Sequence, residues 1–184
     1  YFTLKNTKKV NVFCINNSSN NTAITTLFGN DTVLFNFKNN SIKNIDYTAL
    51  NQQDFILINE AEQFSSGLIN SLNKFTKNGG SIAIFPPNNI DLTTYNSSLK
   101  QLGISTLSEL KANNTSIDKI NRNHPIYKHV FDGKLDKINF PAVKQYHKII
   151  TQNNSNSIAL LTQGNKAVFL ESFLKGKGLI YLFN

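Results

Sequence analysis

The sequence predicts an α/β fold built on a parallel sheet, and three observations lead to this prediction. Short apolar runs alternate with segments of helical periodicity along the first hundred residues. Each run is flanked by polar, Gly or Pro residues, and no run is long enough to form a helix. Parallel strands need crossover connections, and right-handed crossovers place helices on both faces of the sheet. We therefore expect four parallel strands in the spatial order 2-1-3-4.

The predicted strands are the four apolar runs themselves. They span residues 10–15, 32–37, 55–59 and 81–85. The first ends in a run of Asn and Ser, and the fourth ends at Pro86-Pro87. An apolar run of this length, without alternation, is typical of a strand that is buried on both faces.

Two helices are predicted between these strands. Residues 22–28 can form a short helix before Gly29, and either Ser65 or Ser66 can cap a second helix that runs to Lys77. The apolar face of the first helix would hold Ala23, Ile24, Leu27 and Phe28. The glycines that follow Asn78 supply the left-handed conformation that a helix end favours.

The pattern changes in the second half of the chain. Asp91 or Thr93 can start a further helix, which Gly103 closes. Residues 104–120 alternate weakly between apolar and polar. Residues 157–161, 166–173 and 178–183 are predicted to be strands, joined by turns at 163–165 and 175–178. Because short turns join antiparallel neighbours, we expect antiparallel strands here.

Length and composition restrict the class of protein. A chain of 184 residues with 40% hydrophobic residues suits one domain, which we take to span residues 1–184. A single cysteine, Cys14, excludes an internal disulfide framework and metal sites built from several cysteines. Cys14 lies inside an apolar run, so we expect a buried, unreactive thiol.

The net charge of +8 is unevenly distributed along the chain. Residues 100–184 hold 11 Lys and Arg122 against 5 acidic residues, whereas residues 1–99 hold 7 Lys against 6 acidic residues. This excess predicts weak, diffuse attraction to anionic surfaces, which salt should screen. The lysines are scattered and no Arg-rich run occurs, so we do not expect a specific nucleic-acid partner.

A candidate crevice can be placed from the predicted topology. In an open α/β sheet, ligands bind beyond the carboxyl ends of the strands, near the point where strand order reverses. The residues predicted at this position are Asn16, Asn17, Asn59, Glu60, Pro86 and Asn88. The loop after the first strand contains no Gly, so we expect neither a nucleotide nor another cofactor there.

A hydrolase that uses Cys14, a histidine and a glutamate is the enzymatic alternative. A nucleophile needs exposure on a sharp turn beside backbone amides, and Cys14 lacks that setting. The spacing of His124, His129 and His147 matches no metal motif, so all three are interpreted as turn or surface histidines. Glu60 and Glu62 are assigned to a solvated loop. The core is expected to include Phe35, Phe37, Phe131, Phe140, Phe169 and Phe173.

Two stretches resemble the class I glutamine amidotransferase-like fold. These are DFILINE (residues 54–60) and, after a helix, NGGSIAIFPP (residues 78–87). The resemblance implies that the nucleophilic cysteine of that family would stand near Pro86 or Pro87. The Gly-x-Cys-x-Gly and C-terminal His-x-Glu motifs of the family are absent. We therefore expect the fold without the catalytic triad, and we expect no enzyme.

A resemblance over nearly the whole chain is to the amidotransferase-like segment of BatA-like, aerotolerance-type proteins. It rests on residues 57–104, INRNHPIYKHVF, INFPAVKQYHKI and GKGLIYLF. The resemblance implies a membrane-anchored protein with this domain on the extracytoplasmic, periplasmic side. A chain that begins at Tyr1 and has no Met fits an excised piece of such a protein. The expected function is binding or assembly with another protein or a cell-envelope component, and the alternative is a degenerate or unorthodox hydrolase in the same crevice.

Overall fold

A computed structural model describes residues 8–17, 21–121, 123–127, 142–151, 157–163 and 167–184, with the backbone alone at 118, 119 and 157–163. Over this part of the chain, one sheet of nine strands has the order β2-β1-β3-β4-β9-β8-β7-β5-β6. The strands are β1 Val10–Asn16, β2 Phe35–Ser41, β3 Phe55–Asn59, β4 Ser81–Phe85, β5 Thr106–Ile120, β6 Ala142–Ile150, β7 Ser157–Gln163, β8 Val168–Lys175 and β9 Gly178–Phe183.

The parallel half of the sheet confirms the predicted order 2-1-3-4. β1 pairs in parallel with β2 on one side and with β3 on the other, and β4 follows β3. β9 extends the parallel half beyond β4. The central position of β1 explains its continuous apolar run, because both of its faces are covered.

β2 begins three residues later than predicted, so the expected strand at 32–37 is wrong in its first half. Asp31 is the reason: its side chain accepts hydrogen bonds from the backbone N–H groups of Val33 and Leu34, at 3.2 and 3.0 Å. These bonds hold the chain in a turn, and both side chains are left exposed. An Asp side chain that bonds the backbone two and three residues on is a common turn signal.

The helices lie on both faces of the sheet, as predicted. They are α1 Thr22–Ile24, which continues as a π-helix over Thr25–Gly29, then α2 Tyr47–Leu50, α3 Ser66–Lys77 and α4 Leu92–Leu102. Ser65 caps α3 and Asp91 caps α4, whose C-terminal Gly103 is left-handed. Short 3-10 turns lie at Ile42–Asn44 and Pro125–Tyr127. The predicted apolar face of the first helix is wrong for Ala23 and Leu27, which are exposed.

The hydrophobic core on one face of the sheet is much larger than the core on the other face. The main core lies under α2, α3 and α4 and includes Phe13, Leu72, Leu99 and Phe173. On the other face, Ile24 and Phe28 pack against a smaller cluster around Val12 and Cys14. Of the six phenylalanines expected in the core, Phe173 is buried, whereas Phe35, Phe37 and Phe169 are half-buried. Phe131 and Phe140 lie outside the described residues.

The C-terminal part is antiparallel, which confirms the prediction for that region. The weak alternation of residues 104–120 corresponds to the long strand β5, which pairs with both β6 and β7. β6 was not predicted, because its apolar residues do not alternate with polar ones and five of its nine side chains are exposed. β8 and β9 form a hairpin through the predicted turn at 175–178. The other predicted turn, at 163–165, falls mainly on residues outside the described part of the chain.

Candidate functional site

The carboxyl ends of β1 and β3 meet where the strand order reverses. Asn16 and Asn59 are neighbours in register there, and both are buried. The amide of Asn16 donates to Asn39 Oδ1, and the backbone N–H of Asn17 donates to Asn59 O at 3.3 Å. These bonds satisfy the side-chain N–H of Asn16 and the backbone N–H of Asn17, and they hold the start of the loop after β1 close to the sheet.

Glu60 turns the chain out of β3. It is the one non-glycine residue of the described chain with a positive φ, at 52°. Its backbone N–H donates to Phe85 O at 2.8 Å, which ties the end of β3 to the end of β4. Its side chain is exposed, in agreement with the solvated loop expected for Glu60 and Glu62.

A cleft of about 450 Å³ opens beside these strand ends. Its lining combines apolar walls with polar groups, namely Asn17, Ile42, Ile45, Tyr47, Glu62, Gln63, Phe64 and Ser65. Asn17 Nδ2 donates to Glu62 Oε1 at 3.0 Å. Tyr47 Oη and Ser65 Oγ lie 3.0 Å apart. The cleft therefore presents a fixed carboxylate, an amide and two hydroxyls above apolar side chains, a combination that suits a polar ligand or an extended peptide.

Acidic helix caps add negative charge at this edge. The hydrogen bonds from Thr48 to the side chain of Asp46 lower the pKa of that carboxyl. Hydrogen bonds from Thr94 lower the pKa of Asp91 in the same way. Both carboxylates thus remain charged to a lower pH than free aspartate.

The six predicted site residues divide into two groups. Asn17 lines the cleft, while Asn16, Asn59 and Glu60 lie at the adjoining strand ends. Pro86 and Asn88 belong to the turn after β4, which we call the elbow (residues 86–88). Sequence reasoning missed the contributions of Ile42, Ile45, Tyr47 and Phe64, which come from connections with no recognisable motif. Ser65 could have been found, because its helix-cap signal places it at this edge.

The elbow is bound to β6 rather than left open. Asn88 Nδ2 donates to Gln145 Oε1 at 3.2 Å. His147 Nε2 lies 3.2 Å from Pro87 O, and His147 Nδ1 lies 2.9 Å from Ser108 O. The elbow therefore holds two prolines and faces a buried imidazole whose nitrogens are both engaged with backbone carbonyls.

The prediction of turn or surface histidines is wrong for His147, whereas His124 does lie in a turn but is buried there. His147 is buried within a strand, and His124 is buried in the turn before Pro125. Each ring nitrogen of both residues has a partner in the protein. Such contacts between distant segments cannot be read from local sequence. His129 lies outside the described residues.

His124 contacts a serine, but the geometry opposes base catalysis. The backbone N–H of Ile126 donates to His124 Nδ1 at 3.2 Å, so this nitrogen carries no proton. The neutral ring then carries its proton on Nε2, which lies 3.2 Å from Ser172 Oγ. The imidazole donates to the serine and cannot take its proton. Burial also lowers the pKa of His124, which favours this neutral form.

Cys14 is buried in β1, as predicted. Its exposed fraction is 0%, and burial raises the pKa of its thiol to about 11, with a smaller opposing contribution from Asn16. At neutral pH the thiolate is therefore scarce. The described residues contain no cluster of three or more His, Cys, Asp or Glu side chains able to hold a metal ion. Among the helices of the same residues, none is long and apolar enough to cross a membrane.

Comparison with known proteins identifies the fold. No protein-family model matches the sequence, and no curated protein matches it. A ThuA-like protein from Bacteroides uniformis superposes with a TM-score of 0.67 over 100% of this chain and 84% of its own, at 12% identity. A protein described as a GMP synthase component, from Thermoplasma acidophilum, gives a TM-score of 0.57 over 96% and 83%, at 11% identity.

Part of a larger enzyme has the same fold. The β-galactosidase from Bacillus circulans sp. alkalophilus matches 93% of this chain with a TM-score of 0.62 and 12% identity, but the match covers 28% of that enzyme. These likenesses define the class of architecture: the chain has the class I glutamine amidotransferase-like fold, with a parallel sheet in flavodoxin-like order and antiparallel C-terminal strands. At such low sequence identity, these structural similarities establish the fold and say nothing about activity.

Proposed function

We propose that this chain is a non-catalytic binding or assembly module of a membrane-anchored protein of the BatA-like, aerotolerance type, with the domain on the extracytoplasmic side. The observation that carries the non-catalytic part is the elbow after β4. Pro86 and Pro87 stand where the amidotransferase fold carries its nucleophile, and Pro87 O lies against His147. Proline offers neither a nucleophilic side chain nor a backbone N–H for an oxyanion.

The remaining reactive groups support the same proposal. Cys14 is fully buried in β1, and this burial keeps its thiol protonated at neutral pH. In the contact between Ser172 and His124, the imidazole carries its proton on Nε2, the nitrogen that faces the serine, so it cannot act as the base. Within the part of the chain that the structure describes, no observation favours the hydrolase alternative.

The cleft supports a binding role for the carboxyl-end edge. Its paired polar groups, Asn17 with Glu62 and Tyr47 with Ser65, are held in place before any ligand arrives. Preorganised donors and acceptors lower the entropy lost on binding. A segment of a partner protein or another cell-envelope component that offers amide or hydroxyl groups would fit this lining.

The membrane setting rests on the extended sequence resemblance. It is tested on the whole gene product in its native cell, by membrane fractionation followed by protease digestion of intact spheroplasts. The proposal expects the domain in the membrane fraction and expects added protease to cleave it. Recovery in the cytosolic fraction, or full protection in intact spheroplasts, would overturn that part.

The binding role is tested by photo-crosslinking in the same cells. A photoreactive residue replacing Gln63, within the cleft lining, should give a discrete adduct, and Glu62→Ala should remove it. The matched control places the same residue at Asn36, an exposed position on β2 away from the cleft. Adducts that are equal at both positions would contradict the proposal. Glutaminase or esterase turnover that Cys14→Ala abolishes would defeat the non-catalytic assignment.

A further inference from the structure

The edge of the sheet opposite the cleft gathers lysines from distant parts of the sequence. We call this set the basic edge, and it consists of Lys8, Lys9, Lys74, Lys77, Lys100, Lys175 and Lys177. Each lies just before a parallel strand, in the last turn of α3 or α4, or in the β8–β9 turn. Because parallel strands all begin at one edge, these seven positions converge although they are spread over 170 residues.

Few carboxylates share this edge among the described residues. Asp31 precedes β2 and Asp54 precedes β3. Both are occupied with backbone N–H groups: Asp31 caps the turn before β2, and Asp54 Oδ2 accepts from Asn11 N at 2.8 Å. These two carboxylates are outnumbered by seven lysines, of which six are exposed and Lys175 is half-buried, so the surface is strongly positive.

Helix ends account for part of the lysine set. Lys74, Lys77 and Lys100 lie in last turns, where a cation is stabilised by the helix dipole. Lys175 reaches the end of α4, since a Cβ added at Gly103 would lie 2.3 Å from Lys175 Nζ. Lys8, Lys9 and Lys177 are not at helix ends, so the helix dipole does not account for their presence. The positive charge of the basic edge is therefore larger than helix capping alone would explain.

Exposed aliphatic side chains occupy the same edge. Val33 is 72% exposed, Leu27 is 63% exposed and Leu174 is 52% exposed, which makes them the three most exposed large hydrophobic residues of the described chain. Leu27 lies in the π-helix and Val33 in the turn that come before β2, and Leu174 precedes the β8–β9 turn. Leu174 also lines a groove of about 720 Å³ together with Lys74, Lys77 and Lys175. This surface therefore offers aliphatic as well as cationic groups to a partner.

We propose that the basic edge docks on a bilayer that contains anionic phospholipids, with the lysines at the headgroups and Leu27, Val33 and Leu174 inserted among them. β2 and β8 are five strand spacings apart in the sheet, so the aliphatic contacts span about 24 Å. Several shallow contacts over that width, backed by positive charge, match the requirements of peripheral membrane binding. This surface is distinct from the cleft and does not depend on the proposed function.

The chemistry favours a membrane over a nucleic acid. Proteins that bind single strands stack bases on aromatic side chains, and specific readers use the bidentate guanidinium of Arg. The basic edge is built from lysines and aliphatic residues, and its members include neither Arg nor an aromatic side chain. Lysine acts as a hydrated point charge, which suits a fluid array of phosphate headgroups.

The test is co-sedimentation of the 184-residue chain with phosphatidylcholine vesicles, with and without phosphatidylglycerol. Binding is expected to the phosphatidylglycerol vesicles and to fall steeply with added salt. Replacing Lys74, Lys77 and Lys177 by Gln should weaken it roughly a hundredfold, since each lysine near an anionic surface contributes about fivefold. The matched control replaces Lys111, Lys144 and Lys148, which are exposed on β5 and β6, and should change it far less.

A second pair of variants isolates the aliphatic contacts at constant charge. Val33→Ser with Leu174→Ser should weaken vesicle binding several-fold, while Ile150→Ser, at a 50% exposed position on β6, should not. Equal losses in the two lysine variants, or no effect of the serine pair, would overturn the proposal. Tighter binding to a single-stranded oligonucleotide than to the vesicles would overturn it in favour of nucleic acid.

Discussion

His147 Nε2 lies 3.2 Å from the carbonyl oxygen of Pro87 and joins the elbow after β4 to the antiparallel strand β6. Its Nδ1 lies 2.9 Å from Ser108 O on β5. A neutral imidazole has one N–H and can donate to one of these carbonyls, whereas a protonated ring can donate to both. One buried side chain thus connects the parallel and antiparallel halves of the sheet.

The first prediction concerns this connection. His147→Leu removes the ring N–H that donates to one of these carbonyls and should lower the free energy of unfolding by about 1–3 kcal/mol, because a buried acceptor loses its partner. Urea denaturation measures the loss. Lys148→Leu, at the next and exposed position, is the control and should change stability by less than about 0.5 kcal/mol. Equal effects would show that the His147 contacts contribute nothing.

The second prediction is a dependence of stability on pH. Burial holds the pKa of His124 below its ordinary value of 6.5. The folded state therefore binds fewer protons than the unfolded state below that pH, so this contribution to stability is complete above 6.5 and is lost as the pH falls toward the folded pKa. His124→Gln keeps a donor for Ser172 but does not titrate.

Urea denaturation of both proteins between pH 7 and pH 5 measures this effect. The wild-type chain should lose more stability than His124→Gln over the range. Carboxylates whose pKa is lowered, such as Asp46 and Asp91, contribute chiefly below this range. Parallel pH profiles would contradict the buried neutral state of His124.

The third prediction separates two roles of Ser65 in the cleft. Ser65 Oγ accepts a hydrogen bond from the backbone N–H of Leu68 at 3.1 Å and also contacts Tyr47 Oη. Ser65→Ala should cost about 1 kcal/mol of stability through the lost helix cap. Tyr47→Phe removes the second contact and keeps the cap, so it should cost less in thermal denaturation. A larger loss for Tyr47→Phe would assign the stability to the hydroxyl pair.

The fourth prediction concerns the packing of the β8–β9 hairpin against the end of α3. A Cβ added at Gly178 would lie 2.0 Å from Gly80 O and 2.6 Å from Thr76 O, so Gly178→Ala must displace backbone. We expect a loss of about 1–3 kcal/mol in thermal denaturation. At Gly67 the nearest atom would be 3.6 Å away, and Gly67→Ala in α3 should be neutral or stabilising by up to about 1 kcal/mol.

The fifth prediction is slow labelling of Cys14. The thiol is fully buried and its pKa is raised to about 11, so attack on a disulfide reagent at pH 8 requires opening of the sheet. Labelling followed by absorbance should be far slower than for free cysteine and should accelerate in urea. Reaction at the free-thiol rate without denaturant would show that Cys14 is exposed.

Local sequence determined the parallel half of the fold and the ends of its helices. The apolar runs at β1, β3 and β4 predicted strands because their length, composition and flanking residues all agree. Ser65, Asp91 and Gly103 marked helix ends because a cap depends on residues only a few positions away. Residue types also showed that the elbow lacks a nucleophile. Each of these features rests on neighbours in the chain.

The tertiary structure decided what depends on distant contacts. β6 could not be predicted, because pairing with β5 rather than its own pattern makes it a strand. The burial of His124 and His147, the lining of the cleft and the convergence of the lysines likewise need segments far apart in sequence to meet. Summing charge along the chain placed the excess in residues 100–184, whereas the basic edge draws Lys8, Lys9, Lys74 and Lys77 from the first half. General rules for α/β sheets predicted the order of the first four strands, but the places of β5 to β9 in the sheet depend on pairings between distant segments, which local preference does not contain.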